Sequence, residues 1–176
     1  ALITTLPASV LKHITIEGVR NLAHAQVALP AGATVLFGAN GSGKTSFLEA
    51  IHLLAVGRSF RTHQSKPVIQ HGMAHCRVVG EVQHGGRATM MGLEKHRDGS
   101  VKARVAGENV PSLSELALHL PLVLLDTEGL GIVTGPPEGR RRLLDGTLFH
   151  VEQGFLSHWK RYALAVRQRN SGLRRG

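Results

Sequence analysis

The sequence has few cysteine, aromatic and acidic residues. Its 176 residues include one cysteine, Cys76, so an internal disulfide and a Cys-x-x-Cys metal site are both excluded. We expect Cys76 to be a small core residue on a strand. Aromatic residues make up 4% of the chain, and 12 acidic residues stand against 21 basic ones. The formal net charge of +9 predicts an acidic partner, with nucleic acid as the first candidate.

The sequence also lacks a long apolar run. No stretch approaches the roughly 20 apolar residues that a helix needs to cross a bilayer, and the N-terminus shows no secretion signal. We therefore expect a cytoplasmic protein without a membrane partner. The length suffices for one domain with a hydrophobic core, or for one domain and part of another. Residues 1–11 show no periodic pattern, and we treat them as an N-terminal extension.

A glycine-rich stretch stands between a short apolar run and an amphipathic pattern. The template Gly-x4-Gly-Lys-Ser/Thr is met by Gly38, Gly43, Lys44 and Thr45. Val35–Phe37 predict a strand before this stretch. Residues 45–56 predict a helix after it, which ends at Gly57. The pattern therefore predicts a phosphate-binding loop between a strand and a helix.

Each part of the predicted loop suits a phosphate group. The glycines let backbone N–H groups turn inward as an anion cradle at the positive end of a helix dipole. Lys44 is placed to reach the β and γ phosphates, and the Thr45 hydroxyl to ligate Mg²⁺. An ordinary glycine turn before a helix would not need a lysine and a hydroxyl in that order. The predicted nucleotide-binding residues are Gly38, Ala39, Asn40, Gly41, Ser42, Gly43, Lys44, Thr45 and Ser46.

Alternating apolar residues predict strands before and after the loop. Ile14 and Ile16 mark one strand and residues 25–29 a second, joined by a turn at Gly18–Asn21. Residues 76–105 predict an antiparallel meander of three strands, with turns at 84–86 and 98–99. After the meander, Ser112 and Glu115 have the spacing of a capping box for a short helix.

The last fifth of the chain is helical and basic. Nine Lys or Arg residues and two acids lie between Arg140 and Gly176. A helix is predicted from Val151 to about Asn170, with Trp159 and Tyr162 in the core rather than in a base-stacking platform. A solvated helix face explains part of the charge, and a phosphate-backbone surface explains its asymmetry better. The candidate DNA contacts in this part are Arg140, Arg141, Lys160, Arg161 and Arg167.

Arg58 and Arg61, which follow the predicted nucleotide helix, are two further candidate DNA contacts. A solvated loop with one buried ring explains this segment equally well.

Residues 122–126 leave one question open. Four apolar residues followed by Asp126 match the strand that presents a magnesium-linked aspartate in many phosphate-loop enzymes. If Asp126 has that role, the chain is a self-contained NTPase or kinase with a complete minimal site. If it does not, the catalytic acids lie elsewhere.

Several motifs together resemble the bacterial RecF family of recombination and replication-repair proteins. They are Gly18–Asn21, Phe37–Ile51, Gly57–Arg61, Gly135–Asp145, Phe149–Glu152, Trp159–Tyr162 and Arg167–Asn170. Many ATPases share the phosphate loop, whereas the Gly-Arg-Ser-Phe-Arg run and the Arg-Arg-x-Leu-Asp helix are more specific. The likeness extends from Lys12 to Asn170.

The resemblance implies an α/β P-loop NTPase fold: an ABC-type ATPase head of the SMC, Rad50 and RecF kind, with an antiparallel β layer. Residues 12–133 would form part of the ATPase lobe and 134–176 the start of a helical second lobe. The implied ligands are ATP and Mg²⁺, with Arg20 and Asn21 beside the nucleotide and Glu128 near the metal. The match departs before Glu128, because this chain has Asp-Thr where the family usually has a proline.

The resemblance also implies a function in recombinational DNA repair. RecF proteins bind double-stranded DNA, single-strand gaps and junctions, dimerise on ATP, act with RecO and RecR to load RecA, and support the SOS response. The family's signature motif, Asp-Asp/Glu strand and distal histidine come from a second half that this sequence does not contain. We expect this chain alone to be inactive and the full-length protein to be at most a slow DNA-stimulated ATPase. A basic binding module with a vestigial loop is a third hypothesis.

Overall fold

The computed structural model describes residues 9–125, 137, 141, 144–145 and 154–174. The elements are β1 (Val10–Val19), β2 (Leu22–Ala28), α1 (Lys44–Val56), β3 (His75–His84), β4 (Arg87–His96), β5 (Val101–Val105), β6 (Glu108–Asn109), a 3-10 turn (Leu113–Glu115), α2 (Leu116–His119) and α3 (Phe155–Leu173). The chain divides into two compact units, residues 1–122 and 123–176.

The first unit contains a six-stranded antiparallel sheet in the order β2-β1-β3-β4-β5-β6. The predicted β1–β2 pair and the predicted meander of β3, β4 and β5 are confirmed. The two-residue strand β6 was not predicted. Residues 1–11 were treated as an extension with no element assigned, but β1 begins at Val10, and Val10 and Leu11 pair with Gln83 and Val82.

The β1–β2 turn places two side chains that matter for the site. Val19 pairs with Leu22, so Arg20 and Asn21 form the two-residue connection. Arg20 has a φ of 54°, a left-handed backbone conformation that residues other than glycine rarely adopt. Its N–H donates to the carbonyl of Val68 at 2.8 Å, which helps to hold that conformation.

Helix α1 packs against one face of the sheet, where it contacts β1, β3 and β4. The helix approaches β3 closely at Gly80, where an added Cβ would lie 2.5 Å from Leu54 Cδ2. Gly57 ends α1 as predicted, with a φ of 77° and its N–H donated to the Leu53 carbonyl. The core between helix and sheet includes Ile14, Ile16, Ala50, Leu53, Leu54, Cys76, Val78, Met91 and Leu93.

The predicted strand at Val35–Phe37 is wrong for the described part of the chain. These residues form no ladder with any described strand, and Val35 and Phe37 are 79% and 90% exposed. The physical reason is that an apolar run becomes a strand only when a neighbouring strand supplies hydrogen-bond partners. The residues therefore lead into the loop without strand pairing among the described residues.

Helix α3 lies in the second unit and confirms the predicted C-terminal helix over its described residues. The prediction that Trp159 and Tyr162 belong to a core is wrong, because they are 44% and 67% exposed. Trp159 Nε1 donates a 3.2 Å hydrogen bond to a carboxylate oxygen of Asp145. Among the described residues, no helix combines the length and apolar character needed to cross a membrane.

Candidate nucleotide site

The turn before α1 contains the left-handed glycines that the predicted anion cradle requires. Gly41 and Gly43 have φ values of 81° and 100°, which only glycine adopts readily. Gly43 occupies the N-cap position of α1 and provides no side-chain hydrogen bond to the helix. The first-turn amides of α1 therefore receive no capping side chain, and they remain available to an anion at the positive end of the helix dipole.

Lys44 folds back over the loop. Its ammonium group donates to the carbonyls of Gly38 and Ala39, both at 2.8 Å. The side chain thus spans the turn from the start of α1 to the end of the apolar segment. Thr45 is exposed beside it. The predicted phosphate-binding cation and the predicted Mg²⁺ ligand are therefore neighbours at the mouth of the same turn.

Asn21 joins the β1–β2 turn to the glycine loop. Its Nδ2 donates to the Gly41 carbonyl at 2.7 Å, and its Oδ1 accepts from the Ser46 hydroxyl at 2.7 Å. One side chain therefore contacts both the middle of the loop and the first turn of α1. The resemblance predicted Asn21 beside the nucleotide, and the contacts observed here hold the loop that would bind it.

Arg20, the other residue of this turn, pairs with Glu49 on α1. Arg20 Nε donates to Glu49 Oε2 at 2.9 Å and Nη2 donates to Oε1 at 2.8 Å. The Glu49 side chain is fully buried, whereas that of Arg20 is 19% exposed. The arrangement gives Arg20 a fixed partner on the loop helix, and a direct contact between Arg20 and a nucleotide stays a prediction.

Two residues after α1 complete the surroundings of Glu49. The buried Ser59 hydroxyl donates to Glu49 Oε1 at 2.5 Å, and Arg61 Nη1 lies 3.6 Å from Oε2. Burial by itself raises the pKa of the Glu49 carboxyl, but the hydrogen bonds from Arg20 and Ser59, with the charges of Arg20 and Arg61, outweigh it and lower the pKa overall. Glu49 is therefore an ionised carboxylate that ties three segments together.

The candidate DNA contacts fall in both units. In the first unit Arg58 is exposed, and Arg61 keeps 46% of its side chain exposed while it faces Glu49. Phe60 between them is partly buried and packs edge-on against His52, with ring centroids 5.4 Å apart. In the second unit the exposed candidates are Arg141, Lys160, Arg161 and Arg167. Lys160 and Arg167 share one face of α3, because seven residues make about two helical turns.

Three predicted site residues lie outside the described residues. They are Asp126, Glu128 and Arg140. Their proposed roles as metal-linked acids or as a DNA contact stay predictions. The described part of the site therefore comprises the predicted phosphate loop and the hydrogen-bond network behind it.

The geometry agrees with a comparison of the sequence against models of protein families. Residues 10–133 match the RecF/RecN/SMC N terminal domain. The chain belongs to this family. The predicted ABC-type ATPase head is thereby confirmed, and the antiparallel β layer predicted with it is present in the structure.

Similar RecF/RecN/SMC-family sequences include two RecF proteins. The chain is 45% identical over 167 residues to the DNA replication and repair protein RecF of Azotobacter vinelandii. It is 46% identical over 169 residues to that of Pseudomonas putida. Each alignment covers 94% of this chain and 46% of the relative. The chain therefore spans less than half the length of the curated relatives it matches.

Solved structures of the RecF/RecN/SMC family show the same fold. A structure of the recombination mediator protein RecF with ATP has a TM-score of 0.84 and 26% identity, over 95% of this chain and 46% of that one. An SMC ATPase structure has a TM-score of 0.64 and 20% identity, over 78% of this chain and 98% of that one. The second likeness concerns the fold alone.

Sequence reasoning identified the loop and missed Glu49 and Ser59. Glu49 was read only as part of the helix motif, and Ser59 only as a residue between the two arginines. The available signal was a carboxylate among the apolar residues of α1, since a buried acid needs a partner. Arg20 and Arg61, which belong to the Gly18–Asn21 and Gly57–Arg61 motifs, are the cations that contact it.

Proposed function

We propose that this chain is the ATP-binding portion of a RecF-type DNA replication and repair protein. The observation that carries the proposal is the loop at the start of α1, with its uncapped helix amides and the adjacent Lys44 and Thr45. In this proposal the amides and Lys44 hold the β and γ phosphates, and Thr45 ligates Mg²⁺. Similarity to a RecF structure that contains ATP supports the choice of nucleotide.

The proposed macromolecular partner is DNA. The net charge of +9 supports a polyanion, and exposed cations on the segment after α1 and on α3 supply candidate phosphate contacts. In a RecF-type function the protein recognises single-strand gaps, junctions and duplex DNA. It acts with RecO- and RecR-type mediators in loading RecA and in the SOS response, as an ATP-dependent homodimer in the cytoplasm.

Hydrolysis belongs, in this proposal, to the longer protein. The chain covers 46% of its RecF relatives, and we expect it to bind ATP without turning it over. Robust turnover that is lost in Asp126→Asn would instead support a self-contained NTPase or kinase. The full-length protein would be at most a slow, DNA-stimulated ATPase.

Nucleotide binding is tested by comparing Lys44→Ala with Lys66→Ala. Both substitutions remove one lysine, but Lys66 is an exposed residue outside the loop. We expect Lys44→Ala to weaken ATP binding by about 10- to 100-fold, because it removes one or two charge-assisted hydrogen bonds. The Lys66→Ala chain should bind ATP as the wild type does. Saturating ATP should also raise the melting temperature of the wild-type and Lys66→Ala chains. Unchanged binding by Lys44→Ala would refute the proposed role of the loop.

A further inference from the structure

The face of the sheet opposite α1 carries an open depression centred on Gly92. It has a volume of about 470 Å³, and around Gly92 it is lined by Arg77, Val79, Glu94, Lys102 and Arg104. The register explains why these residues meet. Arg77 pairs with Glu94 and Glu94 with Lys102, while Val79 pairs with Gly92 and Gly92 with Arg104. Two adjacent cross-strand rows therefore form the floor and rim.

The fold does not require glycine at position 92. Its φ lies outside the left-handed region, and an added Cβ would meet only Val79 Cγ2, at an ordinary 3.9 Å. Side chains with branched Cβ atoms are favoured inside strands, so a larger residue is compatible with this position. Gly92 thus keeps open a space that packing alone would allow to be filled.

The acid in the depression already has a strong partner. Arg77 donates to Glu94 Oε2 from Nη2 at 2.7 Å and from Nε at 3.1 Å. The other oxygen, Oε1, lies 2.8 Å from His96 Nε2. The hydrogen bond from Arg77 also lowers the pKa of the Glu94 carboxyl, which therefore stays ionised at neutral pH. Glu94 and Arg77 neutralise each other at one side of the depression.

Lys102 and Arg104 remain without an acidic partner among the described residues. Both are exposed, and no described carboxylate lies within 4.0 Å of either side chain. Arg104 Nε donates to the neutral side chain of Asn109 at 3.0 Å, which orients the guanidinium without balancing its charge. The two cations are two residues apart on β5, so they project from the same face about 7 Å apart.

Apart from Glu94, the acidic residues of the neighbouring strands lie away from the depression. Glu17 and Glu81 share the outer face of the sheet, the one opposite α1. They belong to β1 and β3, on the other side of β4 from β5. Glu108 pairs with Val105, and alternation along the strand places that pair on the opposite face from Arg104. The β5 side of the depression is therefore positive, with two cations that face solvent.

We propose that the Gly92 depression seats a phosphate of a nucleic-acid backbone, which Lys102 and Arg104 hold. The inference rests on the proposed DNA-binding function and adds a contact surface separate from the nucleotide loop. Two uncompensated cations beside an open, shallow space fit a polyanion that lies across the strands. A phosphate backbone needs no enclosing pocket, because its contacts with exposed cations are mainly electrostatic.

Salt dependence provides the first test. Binding of a fluorescently labelled gapped duplex DNA is measured across a salt series for the wild type, for Lys102→Ala/Arg104→Ala, and for the control Lys66→Ala/Arg87→Ala. Both pairs remove two exposed positive charges. Each lost phosphate contact reduces the magnitude of the slope of log K against log salt by about 0.9. The slope should therefore fall by about 1.8 for Lys102→Ala/Arg104→Ala and hardly change for the control variant. Equal slopes for Lys102→Ala/Arg104→Ala and the wild type would overturn the inference.

Gly92→Val provides a second test that leaves the charges in place. Valine fills the depression, and we expect DNA affinity at fixed salt to fall by about tenfold while the melting temperature is maintained. ATP affinity should stay unchanged, because the loop lies elsewhere. Unaltered DNA affinity in Gly92→Val counts against the inference alone. If the wild-type chain binds ATP but no DNA, the proposed DNA-binding function fails and the inference with it.

Discussion

Arg20 and Glu49 form a two-point ion pair between residues 29 positions apart in the chain. The guanidinium comes from the β1–β2 turn, and the fully buried carboxylate comes from the helix that begins at the phosphate loop. Two parallel hydrogen bonds fix distance and orientation together, which one contact between a lysine and a carboxylate would not do. The pair therefore sets the position of α1 relative to the β1–β2 turn, whose Asn21 contacts the loop.

The first prediction concerns Glu49→Gln. Glutamine keeps the shape of the side chain but removes the charge, which leaves the mostly buried guanidinium of Arg20 without its counter-ion. We expect the free energy of unfolding to fall by about 3 kcal/mol, near the lower end of the range for breaking a buried pair, because Arg20 retains some contact with water. Urea unfolding measures the change.

Glu94→Gln is the matched control for that experiment. It breaks the ion pair with Arg77 on the outer face, where both side chains are partly exposed, so the cost should not exceed about 1 kcal/mol. Similar losses for the two substitutions would contradict the special position of Glu49.

The pH dependence of stability should also report on Glu49. Its pKa in the folded protein is below the ordinary value of 4.5. The stabilisation is therefore fully present above about pH 4.5 and is lost as the pH falls through the lower folded-state pKa. The stability difference between wild type and Glu49→Gln should be constant at neutral pH and should shrink in acid.

The second prediction concerns Asn21→Ala. The substitution removes the hydrogen bonds to the Gly41 carbonyl and from the Ser46 hydroxyl. We expect ATP affinity to fall by about tenfold, which corresponds to one or two neutral hydrogen bonds that order the loop. Titration with a fluorescent ATP analogue measures this. Gln26→Ala, an exposed change on β2, should bind as the wild type does. Full affinity in Asn21→Ala would show that the loop keeps its geometry without this support.

The third prediction compares Gly80→Ala with Gly92→Ala on neighbouring strands. A Cβ at Gly80 would lie 2.5 Å from Leu54 Cδ2 and 2.9 Å from Leu11 Cδ1, whereas one at Gly92 has room. We expect Gly80→Ala to lower the free energy of unfolding by about 1–3 kcal/mol through overpacking and Gly92→Ala to leave it nearly unchanged. Denaturant unfolding of both variants decides the matter. Equal stability would mean that α1 does not approach the sheet as closely as described.

Local sequence patterns predicted the elements whose causes are local. The loop template occupies consecutive residues, and the strands of the sheet show their alternation within a few residues. The glycines at positions 57 and 99 marked a helix end and a turn, where the observed φ values are 77° and 93°. These features depend on short-range sterics and hydrogen bonding, so a single sequence contains enough information for them.

Features that depend on distant partners were not predictable in the same way. No spacing rule connects Arg20 with Glu49, because the contact arises only when the β1–β2 turn lies beside α1. The Val35–Phe37 run looks like a strand, but a strand also needs a neighbour to pair with. The periodicity around Trp159 predicts an apolar face, and it does not specify what covers that face.

The unpaired segment before the loop has a practical consequence for work with this chain. Val35 and Phe37 place large apolar side chains in solvent, next to backbone groups with no ladder partner among the described residues. Such a segment is a template for a strand from a neighbouring molecule. Concentrated samples should therefore form aggregates, which light scattering detects. Storage at low protein concentration should slow this aggregation.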